Sequence, residues 1–127
     1  MSVTLLIISH EEIGSALVQT ATAAFEELPL PTTVVSVSRN CNPEDLIKKL
    51  KKLLSNIQSV DGVLILTDLF GSTPSNIAQA LKSGINIKMV SGLNLPMLMR
   101  VMNYHDLSLD ALSKKALSGG KDGVISL

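Results

Sequence analysis

The feature that most constrains this chain is a regular exchange between two hydrophobic periods. Short runs rich in Val, Ile and Leu are separated by longer stretches in which apolar side chains recur every three to four positions. The first run, Val3-Thr4-Leu5-Leu6-Ile7-Ile8, does not alternate with polar residues, as expected of a strand buried on both faces. Further strands are expected at Thr32–Ser38, Gly62–Thr67 and Ile85–Ser91, and a short last one at Val124–Leu127. Gly62–Thr67 is the most hydrophobic and belongs in the centre, beside the first. Between them, Ser9 and Glu12 fit a capping box for a helix that Pro29 and Pro31 would stop. Asn42-Pro43-Glu44-Asp45 is a second helix start, with an N-cap, Pro at N1 and acids in the first turn. Other helices are expected from Pro74 to about Ser83, over Pro96–Tyr104, and over Leu107–Ser118 ahead of Gly119-Gly120. This β-α-β-α order predicts an α/β fold: a doubly wound, mostly parallel central sheet with helices on both faces.

Composition narrows what such a domain does. The 127 residues carry no repeat and no linker, so residues 1–127 read as one domain. Eleven basic and eleven acidic side chains balance, which argues against a nucleic-acid or anionic-membrane footprint. Aromatic side chains are 2% of the chain, too few for base-stacking platforms. No uncharged stretch approaches the roughly 20 residues of a membrane span, so no membrane insertion is expected. No basic segment precedes the first apolar run, as a secretory signal would require, and the expected location is cytoplasmic. Cys41 is the sole cysteine, which excludes disulfides within the chain. Lys48, Lys49, Lys51 and Lys52 read as a solvated helix face.

In a parallel sheet, ligands bind beyond the carboxyl ends of the strands. The segments there are Ser9-His10-Glu11, Arg39–Asn42, Asp68–Pro74 and Gly92–Leu95. His10 follows the first strand and Asp68 follows the third. A carboxylate at that position can hold one imidazole nitrogen and leave the other as a nucleophile. Taken singly, each also fits a plain cap. Gly71-Ser72-Thr73-Pro74 adds a glycine for close backbone approach, two hydroxyls and a Pro-initiated helix N-terminus, a combination suited to a phosphoryl group. Rival motifs fail. The dinucleotide glycine spacing is missing, Gly119-Gly120-Lys121-Asp122 is no Walker loop, and His10, Cys41 and His105 lack metal-ligand spacing. His105, beside Asp106, reads as surface or interface.

Three segments carry a family resemblance: Leu6–His10, Gly62–Asn76 and Val90–Leu98. Together they resemble the mannose-type enzyme IIA of the phosphoenolpyruvate-dependent sugar phosphotransferase system, and the likeness runs over essentially the whole chain. The resemblance implies that His10 accepts a phosphoryl group from phospho-HPr and passes it to a separate IIB protein for sugar uptake. It also implies that Asp68 hydrogen-bonds His10, that Gly71, Ser72 and Thr73 cradle the phosphate, and that no cofactor or metal takes part. Ser72 stands where the family often has a second glycine, and Thr73 replaces a frequent serine. A regulatory phosphoprotein read by a partner is the alternative within the family; a donor for dihydroxyacetone kinase and a flavodoxin-like binding module rank lower. Glu11, Glu12 and Asp68, with Leu69, Phe70 and Leu93, are expected to form the docking face for HPr. A homodimer is expected, because Pro96–Tyr104 is apolar nearly all round; the resemblance implies that Gly123–Leu127 pairs with the partner's sheet.

Overall fold

The computed structural model describes residues 2–57, 61–82 and 86–127. Nine elements follow in order: β1 (Thr4–His10), α1 (Ile13–Phe25), β2 (Thr32–Val37), α2 (Pro43–Asn56), β3 (Val63–Thr67), α3 (Thr73–Ala80), β4 (Ile87–Ser91), α4 (Leu95–Asn103) and α5 (Leu109–Asp122). The four strands form one parallel sheet in the order β2-β1-β3-β4. β1 and β3 hold the centre, as their unbroken apolar runs require. Alternation along the strands sends Leu5, Ile7, Leu64 and Leu66 into a core with α1, α4 and α5. Leu6, Ile8, Val63 and Ile65 face α2 and α3 on the other side. The doubly wound reading is thus the observed one, and every strand pairing is parallel. Among the described residues, no helix is long and apolar enough to cross a membrane.

The start of α2 follows its sequence signals. Asn42 Oδ1 accepts the Asp45 N–H at 3.2 Å, Pro43 opens the helix, and Glu44 and Asp45 meet the positive end of the dipole. Leu50 and Leu54 are buried, and the lysines between them are exposed.

Four expectations change. His10 does not follow β1 but is its last residue; no capping box forms, because α1 starts at Ile13 after Glu11 takes φ 44°. Ser9 instead turns inward, and its Oγ accepts the Gly14 N–H at 2.9 Å. Second, α1 ends at Phe25, ahead of the prolines. A helix continued to Pro29 would drive the proline ring into the Phe25 carbonyl, so the chain leaves the helix one residue later, where Glu26 has φ 63°. Third, Gly119-Gly120 does not end α5, which runs on to Asp122. Fourth, Val124–Leu127 forms no strand within the chain and lies exposed. The expected helix end at Ser83 and strand start at Ile85 lie outside the described residues.

The helix Leu95–Asn103 is indeed sandwiched, but within the chain. Met97, Leu98, Val101 and Met102 are buried in the core that α1 and α5 share. The large exposed apolar patch expected of it is not there. Two glycines of α5 allow the close approach: a Cβ on Gly119 would sit 2.7 Å from Arg100 Cβ, and one on Gly120 2.7 Å from Met97 Cε. Arg100 Nη1 donates to Asp122 Oδ2 at 2.9 Å and Asn94 Nδ2 to the Gly120 carbonyl at 3.1 Å, fixing the pair in register.

Candidate functional site

The parallel topology brings the ends of β1 and β3 side by side, with Ile8 opposite Thr67. His10 ends β1 two residues past Ile8, and Asp68 directly follows Thr67, and these are the two residues singled out for chemistry. Asp68 Oδ2 stands 2.9 Å from His10 Nδ1 and accepts the His10 backbone N–H at 3.0 Å. The carboxylate therefore holds His10 at two points, and its own side chain is only 9% exposed. An ionised carboxylate only accepts, so the Nδ1 position carries the ring proton and the Nε2 lone pair is left. The ring is 39% exposed, open to an incoming group. Among the described residues, nothing hydrogen-bonds Nε2.

A cleft of about 370 Å³ opens beside the ring. Its walls come from three elements' ends: His10 and Glu11 after β1, Val37, Ser38, Arg39, Cys41 and Pro43 around the β2–α2 turn, and Thr73 at the start of α3. The turn is laced to the strand end. Glu11 N–H donates to the Val37 carbonyl and Glu11 Oε1 accepts the Arg39 N–H, each at 3.0 Å.

The loop from Asp68 to Thr73 places Gly71 at φ 84°, a conformation that costs a side-chain-bearing residue roughly 1–2 kcal/mol. Ser72 is the N-cap of α3, but its hydroxyl donates back to the Leu69 carbonyl and caps no amide. Of the two residues, Thr73 lines the cleft, whereas the Ser72 hydroxyl is committed as a donor to Leu69 and can still accept. The first-turn N–H groups of α3 have no intrahelical acceptors, so the positive end of its dipole stands at the rim.

Asp68 does not belong to an exposed docking rim, since its carboxylate is committed to His10, and Leu93 is buried. Leu69 and Phe70 remain exposed, at 61% and 71%. His105 also has a carboxylate partner, Asp106 Oδ1 at 3.1 Å. That acid is 91% exposed and adjacent in sequence. Among the described residues no cluster of His, Cys, Asp and Glu is arranged to hold a metal ion. Sequence reasoning placed Arg39–Asn42 at the carboxyl edge but gave Arg39 and Cys41 no role in the site; a crossover turn at that edge was their only signal. It also missed the buried hydroxyls of Thr67, Ser75 and Ser91, which find no partner in the described chain.

Known proteins share both sequence and fold. The family model for the PTS system fructose IIA component, EIIA-man, matches residues 4–117. The PTS system mannose-specific EIIAB component of Escherichia coli (strain K12) is 33% identical over 89 residues, covering 68% of this chain and 28% of that protein. The chain thus spans a minor part of the length of the curated relatives it matches. The mannose/sorbose specific IIA subunit of the phosphotransferase system from Enterococcus faecalis superposes with a TM-score of 0.87 at 24% identity, over 100% of this chain and 96% of that one. The phosphotransferase system component EIIA from Streptococcus agalactiae gives 0.82 at 22% identity, over 98% and 96%. With a family match from the first strand into the last helix, this chain belongs to the mannose-type IIA components of the sugar phosphotransferase system.

Proposed function

We propose that the chain is a phosphohistidine relay protein, taking a phosphoryl group from phospho-HPr on His10 Nε2 and passing it to a IIB protein. The observation that carries the reading is the double hold of Asp68 Oδ2 on His10, through Nδ1 at 2.9 Å and the backbone N–H at 3.0 Å. That hold fixes the tautomer whose Nε2 is nucleophilic and aims the ring before the donor arrives, so little reorganisation remains for the transition state. Gly71 shapes the loop, and Thr73 with the amides of α3 receives the phosphoryl oxygens; Ser72 contributes its backbone and the loop closure. Family membership supports a place in sugar uptake. Residues 1–127 would act as one IIA domain, cytoplasmic and homodimeric.

Incubation with phosphoenolpyruvate, enzyme I and HPr, followed by intact mass, tests the reading. One phosphoryl adduct is expected on the wild-type chain and on His105→Ala, and none on His10→Ala with its fold retained. Full phosphorylation of His10→Ala would remove His10 from the reaction.

A further inference from the structure

Phosphoryl transfer onto His10 brings a group with about two negative charges to a rim that already holds two acids. Asp68 lies behind the ring, and Glu11 lines the cleft in front of it. Partial charge at the α3 N-terminus offsets some of this. A whole positive charge comes from one place: Arg39 is the only lysine or arginine among the residues lining the cleft. Its backbone is tied to the residue after His10, because its N–H donates at 3.0 Å to the carboxylate of Glu11. Its guanidinium forms no ion pair among the described residues. An exposed arginine is ordinarily a solvated surface residue. This one differs in opening onto the same cleft as a tautomer-fixed histidine.

We propose that Arg39 is a catalytic residue of the transfer, its guanidinium taking the equatorial oxygens of the phosphoryl group as it moves to His10. The proposal rests on the relay reading above. In the step, the N–P bond of a phosphohistidine donor breaks and its electron pair returns to the donor ring. The Nε2 lone pair of His10 forms the new N–P bond, while the Nδ1 proton stays on the Asp68 side; each ring keeps its N–H and no proton enters or leaves. The transferring group passes through a loose state with charge spread over three oxygens, and a planar fork matches two of them at once. Lysine provides the charge without the fork.

Phosphoramidate, a small phosphoryl donor that needs no protein docking, separates chemistry from recognition. Wild type, Arg39→Gln and Arg39→Lys are compared with phosphoramidate and with phospho-HPr, following the adduct by mass after rapid quench. With phosphoramidate we expect Arg39→Gln to be slower by about ten- to a hundredfold, below the span known for buried arginine fingers because this side chain is exposed. Arg39→Lys should recover part of the loss. Unchanged phosphoramidate rates in Arg39→Gln overturn the proposal, and a loss confined to phospho-HPr makes Arg39 a docking residue only. No adduct on wild type from either donor would instead overturn the relay reading itself, and this proposal with it.

Discussion

At the scale of single residues, the site turns on how one carboxylate oxygen is shared. Asp68 Oδ2 accepts both the backbone N–H and the Nδ1 position of His10, whereas Oδ1 is buried and has no partner in the described chain. Replacing Asp68 by Asn keeps the size and removes the charge. The amide presents either an acceptor or a donor to Nδ1, so the reactive tautomer is no longer enforced. Orienting carboxylates in serine proteases are worth up to about four powers of ten. Here the phosphate-facing elements stay in place, and loss of a negative charge near the phosphate partly compensates. We therefore expect phosphoryl transfer from phospho-HPr to slow roughly ten- to a thousandfold in Asp68→Asn. Nitrogen-15 shifts of His10 should show a mixed tautomer population, which a purely structural carboxylate would not produce. An unchanged rate with unchanged ring shifts would make Asp68 a strand-end cap.

Between single residues and the whole molecule, the elements show which sequence signals were legible. The strands were readable because burial on both faces leaves continuous apolar runs, and parallel strands with helical crossovers admit few topologies. His10 and Asp68 were readable for the same reason: one ends and the other follows a central strand at its carboxyl end. Helix boundaries were harder where a residue type has two uses. Ser9 and Glu12 match a capping box, but Ser9 is buried in β1 and bonds Gly14 from there. Gly119 and Gly120 match a helix stop, but their missing Cβ atoms let α5 lie against Arg100 and Met97. Tertiary contact decided both, and a local pattern does not contain it. Gly14 gives a test at this scale. A Cβ there would stand 2.5 Å from Ser9 Oγ and 2.8 Å from Ile7 Cγ2. Alanine gains about 1 kcal/mol in helix propensity, whereas overpacking typically costs about 1–3 kcal/mol and here also displaces the hydroxyl that satisfies the α1 N-terminus. We expect Gly14→Ala to be less stable by about 1–2 kcal/mol in urea denaturation. It should also slow transfer, because Ser9 adjoins His10; equal or higher stability would mean the first turn of α1 shifts freely.

For the molecule as a whole, the question is what covers its remaining apolar surface. The helix expected to demand a partner does not, since α4 is buried between α1 and α5 of its own chain. Apart from Leu69 and Phe70 in the loop before α3, the most exposed apolar side chains lie past the end of α5, where Val124, Ile125 and Leu127 are 79%, 71% and 116% exposed. Three such side chains in a four-residue tail gain nothing from the fold of one chain. Meanwhile β4 ends the sheet with no strand on its outer side among the described residues, an unpaired row of backbone donors and acceptors. The family resemblance implies that the tail pairs with the sheet of a second copy, and the open edge of β4 would accept it, two-fold symmetry making the exchange reciprocal. We expect residues 1–127 to sediment as a dimer at micromolar concentration. Deletion of residues 124–127 should yield a monomer with the helix and strand content of the parent, since those residues lie outside every element. The shortened chain should still take a phosphoryl group from phosphoramidate, because none of the four lines the His10 cleft. A deletion variant that remains dimeric would place the interface on another surface, and residues 1–127 staying monomeric at high concentration would end the two-fold model.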